Sequence, residues 1–119
     1  MSDAYAFGQM AEKKAALYIK KKGFRVLAKN YRYRKAEIDL IVQKNDQLVA
    51  VEVKARSSKS FGAPYSFVSS KKINLMIMAM DAFVHLRKLD VDLRFDIMSY
   101  TLADGKWHLE HLENAFYPF

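Results

Sequence analysis

Asp39, Glu52 and Lys54 are the residues whose types and spacing could do chemistry. Glu52 and Lys54 fall in the run Val51-Glu52-Val53-Lys54-Ala55-Arg56, and Asp39 lies thirteen residues before Glu52. The run otherwise reads as a buried strand. Strand side chains alternate, so Glu52 and Lys54 share one face and Val51 and Val53 the other. An unpaired buried ion is costly, so this charged face is either solvated or bound to something.

The flanking pattern places the second carboxylate. Glu37 to Gln43 and Leu48 to Lys54 read as strands joined by Lys44-Asn45-Asp46-Gln47, with Asn45 and Asp46 as the two turn residues. That turn sets Asp39 opposite Glu52 and Glu37 opposite Lys54, with paired Cβ atoms about 4.5–5.5 Å apart. Ile38, Leu40 and Val42 then join Val49, Val51 and Val53 on the core face, and a one-residue slip would bury charge. Two adjacent carboxylates repel unless a proton or a cation lies between them. A hard ion such as Mg²⁺ or Mn²⁺ takes oxygen ligands, and Asp39, Glu52 and the Val53 carbonyl form one edge of such a site. The ion would activate water and stabilise charge on a phosphoryl oxygen, with Lys54 orienting the water or neutralising that charge. The plain alternative is a solvated face with two salt bridges, one of them Glu37–Lys54, which would contribute little.

These residues need a scaffold. Asp3 to Lys22 reads as a helix, capped by Ser2 or Asp3 and ended by Gly23. Ala4, Gly8, Ala11 and Ala15 give it a small face that can lie close on a sheet. Phe24 to Asn30 reads as a strand and Tyr31 to Lys35 as a basic, aromatic connector. Ser57 to Ser70 reads as a loop, after which Ser69 or Ser70 caps a helix to about Lys88. Val91 to Leu102 and Lys106 to Glu113 form a second hairpin around Ala103-Asp104-Gly105. The fold class is α/β, with a central mixed five-stranded sheet flanked by helices in the order α-β-β-β-α-β-β. At 119 residues, 51% of them hydrophobic, one domain over 1–119 is expected.

Composition narrows the partners. There is no cysteine, which excludes disulfides and thiolate metal sites and fits a reducing cytoplasm. No apolar stretch approaches membrane-spanning length. The net charge is +7, and residues 1–35 hold ten Lys/Arg against Asp3 and Glu12. A local basic surface attracts polyanions, nucleic acid first. Tyr31 to Lys35 alternates aromatic and basic residues, which suits stacking on bases and holding phosphates through Arg32, Arg34 and Lys35. Arg56, Lys71 and Lys72 flank the loop after the motif, the lysines at a helix start that favours phosphate. Met76, Met78 and Met80 read as helix packing, and His108 and His111 as surface histidines. Arg94 and Asp96 share a strand face and can pair with each other or support the site from a neighbouring strand.

The ordered motifs also carry a resemblance. Asp39, a hairpin, then Glu52-Val53-Lys54 resembles the PD-(D/E)XK nuclease signature. Gly8…Glu12, Gly23-Phe24, Asn30-Tyr31-Arg32, Glu37-Ile38-Asp39-Leu40-Ile41, Val51 to Arg56, Phe61-Gly62, Arg94-Phe95-Asp96 and Asn114-Ala115-Phe116 together resemble the YraN family of bacterial proteins, distantly similar to Holliday-junction resolvases. The resemblance implies a restriction-endonuclease-like fold and metal-dependent cleavage of DNA, including branched or structured DNA. It makes Asp39 and Glu52 metal ligands, Lys54 the catalytic lysine and Glu12 a further acidic group from the first helix. Ala36 stands where the family usually has glycine. Duplex cleavage needs two cuts, so a homodimer is a plausible assembly. The competing readings are a nucleic-acid-binding module without catalysis and a partner protein that docks through its basic helix.

Overall fold

The computed structural model describes residues 3–57 and 68–116. Elements follow in the expected order: α1 (Asp3–Lys21), β1 (Arg25–Tyr33), β2 (Ala36–Lys44), β3 (Gln47–Ser57), α2 (Ser70–Leu86), β4 (Asp92–Ala103) and β5 (Lys106–Phe116). The strands form one sheet in the order β1-β2-β3-β4-β5. All neighbours are antiparallel except β3 and β4, which run parallel from Gln47↔Asp92 to Ser57↔Leu102. A parallel pair needs a crossover, and α2 lies in it.

The two helices cover opposite faces. Ala11, Ala15, Ala16 and Ile19 of α1 pack on Leu40, Val42, Val49, Val51, Met98 and Tyr100. Met76, Ala79, Met80 and Phe83 of α2 pack on Ala36, Ile38, Ile41, Leu48, Ala50 and Phe95. β3 is thus buried on both faces from Leu48 to Glu52. Met78, by contrast, is exposed on α2. A Cβ on Gly8 would meet open space, so the close helix–sheet contact rests on the alanines. Gly23, at φ 92°, ends α1 in a left-handed turn, with the Phe24 N–H donating to the Ile19 carbonyl at 3.2 Å. Ser69 caps α2, its Oγ accepting from the Lys72 N–H at 3.1 Å.

Three expectations change. Tyr31 to Lys35 is not a connector: β1 continues to Tyr33, pairing Tyr31 with Ile38 and Tyr33 with Ala36, and only Arg34 and Lys35 turn the chain. Arg34 takes the left-handed conformation that this tight turn requires, at φ 56°. Ile38 does not share a face with Leu40. It packs under α2 while Leu40 packs under α1, because the strand alternation shifts at Asp39. β5 runs on to Phe116, which stacks on Phe95 with ring centroids 5.0 Å apart. Ser2, most of the expected loop with Phe61, Gly62 and Pro64, and the last three residues lie outside the described residues.

Candidate active site

The hairpin register is the one the turn requires. Leu40 pairs with Val51 and Val42 with Val49, around Asn45 at φ 55°. The ladder ends at Leu40–Val51, so Asp39 and Glu52 lie just past it, where the strands part. In place of a backbone partner, the Val53 N–H donates to Asp39 Oδ2 at 2.8 Å. The Asp39 carboxyl is pushed up to about 8, by burial first and then by its hydrogen bond to Glu52 and that group's charge, against the pull of the Val53 N–H. The direction of the shift favours a proton shared by the pair over two adjacent charges.

Glu52 is 1% exposed. Its Oε2 is ion-paired with the Lys72 ammonium, and Lys54 Nζ lies 3.9 Å from the same oxygen. Burial pulls Lys72 down, but Glu52 and the charges of Asp39 and Glu37 outweigh it and hold the ammonium above its ordinary value. Glu12 approaches from α1. Burial, then the charges of Asp39 and Glu37, raise its carboxyl, while a hydrogen bond to Asn30 opposes them. Asp39, Glu52, Val53, Lys54 and Lys72 are thus in one place, with Glu12 at its edge. Among the described residues no three His, Asp or Glu side chains come close enough to hold a metal by themselves.

The basic residues divide. Lys35, Lys71 and Lys72 line a cleft of about 290 Å³ with Glu37 and Ser69. Arg32 pairs with Glu37 at 3.3 Å, and the Glu37–Lys54 bridge of the solvated-face alternative is not found among the described residues. Arg34 stacks over Tyr33, its guanidinium 5.3 Å from the ring centroid. Arg56 is tied to β4, its Nε donating to Thr101 Oγ1 at 3.1 Å. Tyr31 is half-buried, packs edge-on against Phe83 and has the Arg87 guanidinium 5.7 Å from its ring centroid.

Sequence reasoning put Lys72 only among phosphate-binding residues. Its place against Glu52 follows from topology, since α2 starts over the face of β3 that carries Leu48, Ala50 and Glu52. The Arg94–Asp96 pair belongs to a second buried cluster whose His111 and Asn114 members were missed. Asp96, fully buried, accepts from Arg94 Nε and Nη2 at 2.9 and 3.0 Å and from the Asn114 N–H at 3.0 Å. His111 Nε2 lies 2.7 Å from Asp96 Oδ2 with the ring 8% exposed, so His111 is not a surface histidine. His108 is exposed. The expected Arg94–Asp96 pair is present.

Residues 11–100 match the model of a family described as "Uncharacterised protein family UPF0102". The chain belongs to UPF0102. This is the YraN family that the motifs resembled. A UPF0102 protein of Flavobacterium psychrophilum is 40% identical over 119 residues, covering all of both chains. One from Flavobacterium johnsoniae is 39% identical over 123 residues, again covering all of both. One from Bacteroides thetaiotaomicron is 34% identical over 118 residues, 99% of this chain and 98% of its own. The span matched to UPF0102 contains every candidate site residue from Glu12 to Lys72. No helix among the described residues is long and apolar enough to cross a membrane.

Proposed function

We propose that this UPF0102 protein is a metal-dependent endonuclease that hydrolyses phosphodiester bonds in DNA, branched or structured DNA included. The observation that carries this reading is the buried Asp39–Glu52 pair past the end of the hairpin ladder, faced by two ammonium groups and opening beside a lysine-lined cleft. The donor set fits Mg²⁺ or Mn²⁺. Both are oxygen-seeking, and Mg²⁺ keeps several waters and is held through one or two carboxylates plus substrate phosphate, so a third protein carboxylate is not required.

Asp39 and Glu52 would hold the ion, Asp39 releasing its proton as it does so. Bound there, the ion would polarise a phosphoryl oxygen and acidify a water. The Val53 N–H fixes the Asp39 carboxylate in orientation. Lys54 supplies positive charge for the phosphoryl oxygens as negative charge builds on them. Glu12, braced by Asn30, adds a third acid at the rim. Arg32, Arg34, Lys35, Arg56 and Lys72 take up flanking phosphates, which sets register on the strand without reading its sequence.

One observation favours a second reading. Lys72 gives Glu52 a counter-charge from the protein itself, which also suits a nucleic-acid-binding module without catalysis. Incubating the protein with duplex and four-way-junction DNA in Mg²⁺ or Mn²⁺ separates the two. Wild type is expected to cut, while Asp39→Ala and Glu52→Gln lose about 100-fold or more in rate and keep DNA affinity, measured without divalent metal, within about threefold. Binding without cutting by wild type would leave the module reading, and an Asp39→Ala protein that cuts at the wild-type rate would remove Asp39 from the site.

A further inference from the structure

We propose that Lys72 is an exchangeable counter-ion. In the free protein its ammonium holds the place of a divalent cation on Glu52, and it moves onto a substrate phosphate in the adjacent cleft when metal and nucleic acid bind together. This inference rests on the metal-dependent reading above.

Lys72 lies between two environments. Behind it is the Glu52 carboxylate, 1% exposed. The Lys72 ammonium lies directly on the buried Glu52 Oε2, bound there by charge and by hydrogen bonding. In front is the cleft of Lys35, Lys71 and Ser69, into which the Lys72 side chain is 37% exposed. The backbone need not move. The Lys72 N–H is fixed by Ser69 Oγ at the cap of α2, so rotation about the four-carbon stem is enough.

Charge decides when the side chain turns. An ammonium and a divalent cation cannot both sit against Glu52 Oε2, because their repulsion in a buried site is large. A metal therefore expels Lys72. Expelled alone, the ammonium meets Lys35 and Lys71, and the one carboxylate lining the cleft, Glu37, is already paired with Arg32, so the move gains little. With a phosphate in the cleft the same move completes a set of charge-assisted hydrogen bonds. Metal and polyanion thus favour one another, and linkage makes the gain equal in both directions. Lys54 Nζ lies farther from Glu52 Oε2, at 3.9 Å, and does not line the cleft, so Lys72 is the cation placed between the two.

The test uses the full chain and Mn²⁺. Calorimetry without DNA is expected to give about tenfold tighter Mn²⁺ binding for Lys72→Met than for wild type, with Lys72→Arg close to wild type. The anisotropy of a fluorescein-labelled duplex, read at low temperature before cleavage sets in, gives the linkage. Mn²⁺ is expected to tighten DNA binding about tenfold in wild type and in Lys106→Met, an exposed lysine on β5 outside the site, and less than about twofold in Lys72→Met. Lys72→Gln, which can still donate a hydrogen bond to Glu52, serves if the methionine variant does not fold. If wild type binds Mn²⁺ and the neutral variants bind it equally or more weakly, the exchange is wrong while the metal site stands. If no variant binds Mn²⁺, even with duplex present, the metal-dependent reading fails and takes this inference with it.

Discussion

Asp39 holds its proton because the fold gives its charge little support. Its value of about 8 lies above the unfolded value near 3.9, so folding takes up a proton across that range. Stability from this group is unaffected below about pH 4 and falls as pH rises toward 8. Asp39→Asn still offers an oxygen to the Val53 N–H and carries no charge. It is expected to stabilise the protein by about 1–2 kcal/mol at pH 8.5 and to change little at pH 3.5, read as melting temperatures at both. An unchanged pH slope in the variant would mean that Asp39 is already ionised in the fold. Asp96 has the opposite sign. Burial raises it, but His111, Arg94 and the Asn114 N–H outweigh that and hold it below its ordinary value. Its contribution is present above the unfolded pKa and lost as pH falls through the folded one. Asp96→Asn is expected to cost about 3 kcal/mol at pH 7 and progressively less in acid, by denaturant titration. The Asp39–Glu52 pair was legible because strand alternation and a two-residue turn fix a register. The Asp96–His111 contact was not, because a bulge lies between them: Phe95 pairs with Phe116 but Ile97 with Leu112. A pattern of period two cannot register the extra residues.

Each helix positions part of the site by burying a face. α2 brings Lys72 to Glu52, and it is anchored at the other end by Phe83, which is 1% exposed and meets Tyr31 edge-on at 5.2 Å. Phe83→Ala is expected to cost about 3–5 kcal/mol, measured by urea unfolding. All seven elements were readable from periodicity and turn residues. The errors fell where neighbours, not propensity, set the ends. β3 extends to Ser57 because β4 pairs with it along that whole length. β1 extends to Tyr33 because β2 continues beside it. Ile38 was misplaced for a related reason. Alternation assumes an unbroken strand, but β1–β2 pairing passes over Asn30 and Asp39, where Asn30 has a φ of 50°. The irregularity that hid Ile38 is the one that lets Asp39 leave the ladder.

Across the whole molecule, charge is unevenly distributed, with the basic excess in residues 1–35. Affinity for duplex DNA is expected to fall with salt at a log–log slope of about −3 to −5, and the triple variant Arg32→Ala, Arg34→Ala, Lys35→Ala to reduce that slope by about 2–3. Fluorescence anisotropy between 50 and 200 mM salt, roughly the span over which such contacts are lost, measures it. A slope near zero would mean that phosphate contacts do not drive binding. The sheet has one more consequence. Its rims are β1 and β5. β1 is broken by a register shift between Val26 and Ala28 and by left-handed Asn30, and it exposes Arg25, Lys29 and Arg32. β5 is broken opposite Asp96, with left-handed Asn114, and it exposes Lys106, Glu110 and Glu113. Kinked, charged rims make poor templates for a foreign strand. The sheet therefore resists growth by strand addition, which guards against fibril-like aggregation and leaves helices and loops as the surfaces through which two copies could meet.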